Sequence, residues 1–411
     1  LLGDFNTVFA WGCRMSWPSP TPVVRSSGAM LPLAAFSIEK ERLLKIVSYC
    51  EMIAGSEKKY GFFWLFHHQG LRIFVTDGSL RTVFQAKGEY PAFERAYQFP
   101  IRPLKLFLQE RSVDTHVNVL LGEESAIFRC DNEVLSLRQG QDRRIEDLSF
   151  PDSLCTVPFK AFMNGIDFAT ISLPMLDRVF LVDYDGQFAV VSVEQDSFAL
   201  FNSEIPIRRF EDGSFLKAQI PYASIRHFVK ACSLIDVNEL KIGVSLESEE
   251  IYFQTAGAVT ALCMKALDER DETDLFRLLH VYERMEPVAR VDSGKARKLF
   301  SKALRLSDNG ILNLSRYPEE LEFWISKKTL YYSVRDSLEP YCETADAPSS
   351  IQFYGKMIKS SLNRITTKKL CMFQSGEFIG FGDENKRRMA VVRGKKVERS
   401  WNHAGLDGTH E

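Results

Sequence analysis

The sequence predicts an α+β protein of three tandem repeats, each made of two half-units in which a helix leads into antiparallel strands. Three observations point there. A strand, turn and strand signature at Val75-Thr-Asp-Gly-Ser-Leu80 has counterparts at Val193-Glu-Gln-Asp-Ser-Phe198 and Val334-Arg-Asp-Ser-Leu338; the intervals, about 120 and 140 residues, are domain-sized. Amphipathic helical stripes alternate with short runs of strand periodicity along the chain. Finally, 411 residues of which 45% are hydrophobic can fill a core in each of several domains.

The first helix is expected over Glu39–Ala54, where apolar side chains at 43, 44, 47, 50 and 53 share one stripe. Strands follow at Phe62–Phe66 and Leu71–Val75, punctuated by Gly70 and Asp77-Gly78. Pro100 prepares a second helix, Arg102–Glu110, because proline at a helix start sacrifices no hydrogen bond. Val117–Leu121, Ser125–Cys130 and Glu133–Arg138 then read as a meander. The second repeat keeps the order: helix Pro158–Ala169, strands around Asp185-Gly186, helix Ala223–Ser233 after Pro221, and strands Glu239–Val244, Glu250–Thr255 and Val259–Ala266. The third has helices Ser293–Leu306 and Gly355–Arg364, with strands Glu320–Ile325, Thr329–Val334, Leu370–Gln374, Glu377–Gly382 and Arg388–Val392. Domains are therefore expected over 36–140, 156–267 and 289–394, with connectors at Gly140–Thr156 and at the charged stretch Asp268–Val291. Residues 1–35, with Trp17-Pro-Ser-Pro-Thr-Pro22 and a candidate start at Met30, are expected to be an extension outside the fold, and 395–411 a polar, solvated C-terminal tail.

A net charge of −2 obliges any nucleic-acid reading to rest on local basic patches. The eight cysteines lie far apart, with no close pair and no His at metal-ligand spacing, which reads as reduced core thiols in a cytoplasmic protein. No run approaches the roughly 18 apolar residues of a membrane span, so no membrane partner is expected. His67-His68 lies in a strand-like run, where neighbours point to opposite faces and cannot share a metal. Asp183-Tyr-Asp-Gly186 lacks the further carboxylates of a calcium loop and reads as a hairpin turn. Gly376–Gly382 reads as a hairpin and not a phosphate cradle, and Glu247–Glu250 as an exposed turn. With no nucleophile motif and scattered carboxylates, neither catalysis nor a metal is expected.

Phe36-Ser-Ile-Glu-Lys-Glu-Arg-Leu-Leu-Lys45, Val75-Thr-Asp-Gly78, Phe99-Pro-Ile-Arg102 and Phe150-Pro151 stand in an order and spacing similar to the bacterial DNA polymerase III β subunit, the sliding clamp. Over about residues 36–394 the chain resembles a divergent member of that family. The resemblance implies a DNA clamp fold and a homodimer whose six domains ring duplex DNA as a processivity factor. Its partners would be a DNA polymerase, a clamp loader and other clamp-binding peptides, and it would be non-catalytic and hold no cofactor. A divergent clamp paralogue that scaffolds proteins without encircling DNA is the rival reading.

A clamp needs basic helices that attract phosphates without reading bases. On the helix at 293–306, Lys295, Lys298, Lys302 and Arg305 fall within an arc of about 80°. On the last helix Lys356, Lys359 and Arg364 lie away from Met357, Ile358 and Ile365. Arg102, Lys105, Lys160, Arg226 and Lys230 stand on the corresponding earlier helices. One such helix alone reads as a solvated face; together they are candidate phosphate contacts. By resemblance, a groove for partner peptides would use Leu181, Asp196, Ser197 and Phe198 with Met389, Ala390, Val391, Val392 and Arg393, although core strand residues are the competing reading. The chain departs from the family there: Asp196-Ser-Phe198 replaces His-Arg-Leu, and Ala390-Val-Val-Arg393 with a tail replaces a terminal Met-Pro-Met-Arg. Ring closure, again by resemblance, would join the helix at 102–110 to the end of the helix at 303–306. An ungapped match puts Lys105 and Arg305 there, and a shift of one residue brings Leu104, Leu106 or Leu306.

Overall fold

A computed structural model describes residues 33–55, 61–110, 115–140, 145, 147–171, 178–194, 197–211, 213–214, 216–265, 267–307, 309–316, 320–327, 330–337, 339–340 and 349–397. Six half-units follow one plan: a strand, a helix and a three-stranded meander. The first is β1 (Ala34–Glu39), α1 (Lys40–Ala54), β2 (Phe62–His67), β3 (Leu71–Thr76) and β4 (Leu80–Gln85). The second is β5 (Tyr97–Pro100), α2 (Ile101–Gln109), β6 (His116–Leu121), β7 (Ser125–Cys130) and β8 (Glu133–Arg138). The third is β9 (Ser153–Pro158), α3 (Phe159–Ile171), β10 (Arg178–Tyr184), β11 (Gln187–Glu194) and β12 (Ser197–Pro206). The fourth is β13 (Lys217–Ile220), α4 (Tyr222–Cys232), β14 (Glu239–Ser245), β15 (Glu250–Gln254) and β16 (Ala258–Cys263). After α5 (Glu269–Glu283) comes the fifth: β17 (Glu286–Asp292), α6 (Ser293–Leu306), β18 (Ile311–Arg316), β19 (Glu320–Lys327) and β20 (Leu330–Ser337). After the short β21 (Glu339–Pro340) comes the sixth: β22 (Ser349–Tyr354), α7 (Gly355–Leu362), β23 (Lys369–Ser375), β24 (Phe378–Gly382) and β25 (Arg388–Arg393), followed by β26 (Lys395–Lys396).

Local chemistry explains the boundaries. Pro100 and Pro221 hold extended backbone just ahead of α2 and α4. Asp292 caps α6, its carboxylate accepting the Lys295 amide at 2.9 Å. The β10–β11 turn places Asp185 at φ 51° and Gly186 at φ 74°, the mirror-image turn that matches strand twist, and Asp183 accepts the Gly186 amide at 2.8 Å.

The leading strand of each half-unit leaves its own meander and pairs with that of its sibling. β1 pairs with β6 (Ile38 opposite Val117) and β5 with β2 (Phe99 opposite Phe63); β9 pairs with β14 and β13 with β10; β17 pairs with β23 and β22 with β18. Meanders of successive repeats then join edge to edge. β4 meets β16 at a first seam and β12 meets β25 at a second, giving an eight-stranded sheet β5-β2-β3-β4-β16-β15-β14-β9 and a nine-stranded sheet β13-β10-β11-β12-β25-β24-β23-β17-β21. Two shorter sheets end the chain, β1-β6-β7-β8 and β20-β19-β18-β22-β26.

Period-two alternation divides each seam sheet into two buried faces. In β23 and β25, Leu370, Met372, Ala390 and Val392 turn to the face that carries α6 and α7, whereas Cys371, Phe373, Met389 and Val391 turn to the other. The helix-bearing face is termed inner.

Three expectations are corrected. The segment Asp268–Val291 is not a simple connector: Asp268 caps a 15-residue helix, α5, and β17 follows. Glu250 is no exposed turn residue; it opens β15 buried, accepting hydrogen bonds from Arg81 at 2.5 Å and the Tyr252 hydroxyl at 2.8 Å. The tail beginning at Lys395 is not wholly solvated, because β26 pairs with β22 (Lys396 opposite Ile351) even though both lysine side chains are exposed.

Candidate nucleic-acid interface and seams

The helices pack side by side in the order α2, α1, α4, α3, α7, α6. α1 to α4 crosses the first seam and α3 to α7 the second, which leaves α2 and α6 as the two ends of the row. Burial of each helix against the sheets turns its polar stripe outward, away from the inner face.

That stripe carries the basic residues expected from the sequence. On α6, Ala296, Phe300, Ala303 and Leu304 are buried, while Lys295, Lys298, Lys302 and Arg305 are exposed along the opposite side. Lys356 and Lys359 are exposed on α7; Arg364, just past its end, reaches 3.8 Å from Asp167 on α3. Arg102, Lys160, Arg226 and Lys230 are exposed on α2, α3 and α4, with the Arg226 guanidinium 5.9 Å from the Tyr222 ring centre. Lys105 differs: half-buried, it is ion-paired with Glu51 of α1.

Arg297 and Arg388 were not anticipated, whereas Lys368 and Lys369 were expected just beyond the last helix. Arg297 sits across α6 from the basic stripe and donates to the Leu362 carbonyl at 3.0 Å and to that of Ile365, closing the C-terminal end of α7. Arg388 donates to the Arg364 carbonyl and the Thr366 hydroxyl, both at 3.2 Å. Lys368 and Lys369 are exposed after α7, and Ser293, at the start of α6, donates its amide to the Lys368 carbonyl at 3.0 Å. Asp292 is held below the usual carboxylate range, first by the Lys295 amide, then by the Gly294 amide and the charges of Lys295 and Lys368. Arg297 and Arg388 fall off the stripe periodicity, so only the assembled turns show where they act.

The residues singled out for a peptide groove do not share one face. Leu181 belongs to the inner cluster of the first two repeats, and Ala390 and Val392 to the inner cluster of the third. Phe198, Met389 and Val391 lie on the outer face of the second seam, buried beneath Leu275, Leu278 and Tyr282 of α5. Ser197 is buried, Arg393 is exposed and pairs with Glu377 at 3.1 Å, and Asp196 lies outside the described residues. The unforeseen α5 therefore covers the place where three of these side chains meet. At the first seam, a cleft of about 450 Å³ opens between α1 and the turn after α4. Two of its cations are committed locally, Arg42 to the Lys87 and Gln85 carbonyls and Lys45 to Glu41 and Asp236.

The architecture of six half-units, edge-joined sheets and a row of inner helices is that of the bacterial sliding clamps. The DNA polymerase III β subunit of Pseudomonas aeruginosa superposes with a TM-score of 0.71 at 14% identity, covering 88% of this chain and all of that one. A structure of the Pseudomonas aeruginosa clamp bound to griselimycin gives 0.69 at 14% identity, and the Thermotoga maritima β subunit 0.70 at 11% identity, each covering 89% of this chain and all of its own. No family model and no curated protein matches the sequence. Among the described residues, no helix is long and apolar enough to cross a membrane.

Proposed function

We propose that this chain is a DNA sliding clamp: two copies close a ring around duplex DNA and tether a replicative DNA polymerase to it. The observation that carries this reading is that the chain leaves one seam unmade. Both internal seams join the third strand of one meander to the third strand of another, β4 to β16 and β12 to β25. By that rule the edge strands still available are β8 and β20, which end the two shorter sheets. The same two ends carry the terminal helices α2 and α6, and each leaves a leucine in water, Leu106 at 56% and Leu306 at 36% exposure. Joining β20 and α6 of one copy to β8 and α2 of the next buries both leucines, caps both edges and, with three repeats in each of two copies, closes a six-domain ring.

In this reading the exposed cations from Arg102 to Arg364 face the opening and contact phosphates, while the work is done by topology and requires no catalytic centre. A polymerase and a clamp loader are the partners, with exposed Arg393 at the end of β25, beside the seam that α5 covers, as their candidate docking region. Light scattering on the full chain is expected to give twice 47.0 kDa, and Leu106→Asp is expected to halve that mass. Protein loaded on nicked circular DNA should be lost when the circle is linearised. Equal retention on linear and circular DNA overturns encirclement, and a monomeric mass at micromolar concentration favours the scaffold reading.

A further inference from the structure

The inner cations are not shared evenly among the repeats. α1 and α2 carry five Lys or Arg against two Glu, and α3 and α4 carry three against one Asp. α6 and α7 carry seven and no carboxylate. Some of these cations are committed locally, Lys105 to Glu51, Lys45 to Glu41 and Asp236, and Arg297 to the Leu362 and Ile365 carbonyls. The turn Lys368-Lys369 is bonded to the start of α6, so its charges extend the stripe of Lys295, Lys298, Lys302 and Arg305 at its N-terminal end. From Lys295 to Arg305 the stripe is about 15 Å long at 1.5 Å per residue, enough to follow about four base pairs of duplex. The opposite face of the same sheet carries α5, with five carboxylates against two arginines. The third repeat thus has the most basic inner helices, and the outer face of the sheet it shares with the second repeat carries an acidic helix.

We propose that the third repeat is the seat of the duplex: α6 and Lys368-Lys369 supply most of the phosphate contacts, while the helices of repeats one and two confine the DNA without holding it. This deepens the ring reading and rests on it. Phosphate contacts release counterions, so each one lost lowers the slope of log affinity against log salt by nearly one. Two full-length variants remove four exposed charges each. One is Lys295→Gln with Lys298→Gln, Lys302→Gln and Arg305→Gln; the other is Arg102→Gln with Lys160→Gln, Arg226→Gln and Lys230→Gln.

Affinity for a 30-base-pair duplex, read by fluorescence anisotropy across a salt series, is expected to lose roughly three units of slope in the first variant and less than about one in the second. Equal losses, or a larger loss in the second, overturn the seat and leave the ring reading intact. A wild-type chain without salt-dependent affinity for the duplex overturns the seat, whereas the ring reading stands or falls on the comparison of circular with linear DNA. Single reversals disturb folding least: Lys298→Glu is expected to weaken binding more than tenfold and Lys230→Glu less than threefold, and the opposite order overturns the proposal.

Discussion

At the first seam β4 meets β16 with Thr82 opposite Thr260, their buried hydroxyls 3.0 Å apart, and Arg81 reaches across to the buried Glu250. At the second, β12 meets β25 with Ala199 opposite Ala390, and the facing pairs are apolar except where Arg388 stands opposite Phe201. The inner helices differ likewise. Around the first seam Tyr49 of α1 bonds Thr260 of β16 at 3.4 Å, Ser224 of α4 bonds Asp77 of the β3–β4 turn at 3.3 Å, and Lys45 of α1 reaches Asp236, just after α4, at 3.5 Å. α3 and α7 share the Arg364–Asp167 contact at 3.8 Å. On the outer side, Leu148 of an extended connector covers Trp64, Phe66, Phe74 and Tyr252, whereas a whole helix covers the second seam. One backbone rule therefore tolerates two side-chain solutions, polar and bonded or apolar and lidded.

The largest expected effect tests the apolar solution. Phe198→Ala removes a buried ring between sheet and α5 and should cost about 3–5 kcal/mol in chemical denaturation. A loss below about 1 kcal/mol would show that α5 is not packed as described. Leu278→Ala, in the lid itself, should cost about 2–4 kcal/mol, and Leu148→Ala at the first seam about half as much, because an extended connector relaxes into the gap more readily than a helix. Equal losses would erase the distinction between the lids.

Arg81→Ala leaves Glu250 buried without its cation and should cost about 2 kcal/mol, discounted because Arg81 is itself partly exposed. Adding Glu250→Gln to that variant should recover part of the loss, and no recovery would mean that Arg81 acts by packing alone. Removing Lys45 or Arg364, whose pairs lie in solvent, should barely move the denaturation midpoint, and any shift should vanish in 1 M salt.

The smallest effect depends on pH. Burial raises the Asp383 carboxyl above its usual range beside β25. Its folded-state pKa then exceeds the unfolded one, so the favourable contribution is present at low pH and is lost as pH rises through the folded value. Asp383→Asn should accordingly raise the melting temperature slightly at pH 7 and leave it unchanged at pH 3.

Much of this was legible in the sequence and part was not, for physical reasons. The apolar stripes on Glu39–Ala54 and Ser293–Leu306 located α1 and α6 closely, because burial against a sheet imposes the 3.6-residue period on the residues themselves. The clamp fold could be read through the order of the turns. α5 escaped because seven of its fifteen residues are charged, although Leu275, Leu278, Leu279 and Tyr282 hold helical spacing behind the Asp268 cap. Charge outweighed periodicity in that reading. The basic stripe of α6 was legible for the same reason as its buried side. The groove residues were not, because adjacent strand residues alternate between faces, and only the pairing of β12 with β25 decides which face is covered.

The exchange of leading strands has a consequence for how the chain comes into being. β1 cannot find its partner until residues through Leu121 have left the ribosome, and the meander β2-β3-β4 waits for β5 to complete its own outer edge. Neither half of a repeat is a finished object during synthesis. Each of the three repeats should therefore fold in a single late step as its second half emerges, and translation stalled between α1 and β5 should leave a nascent chain that proteases cut readily and chaperones bind.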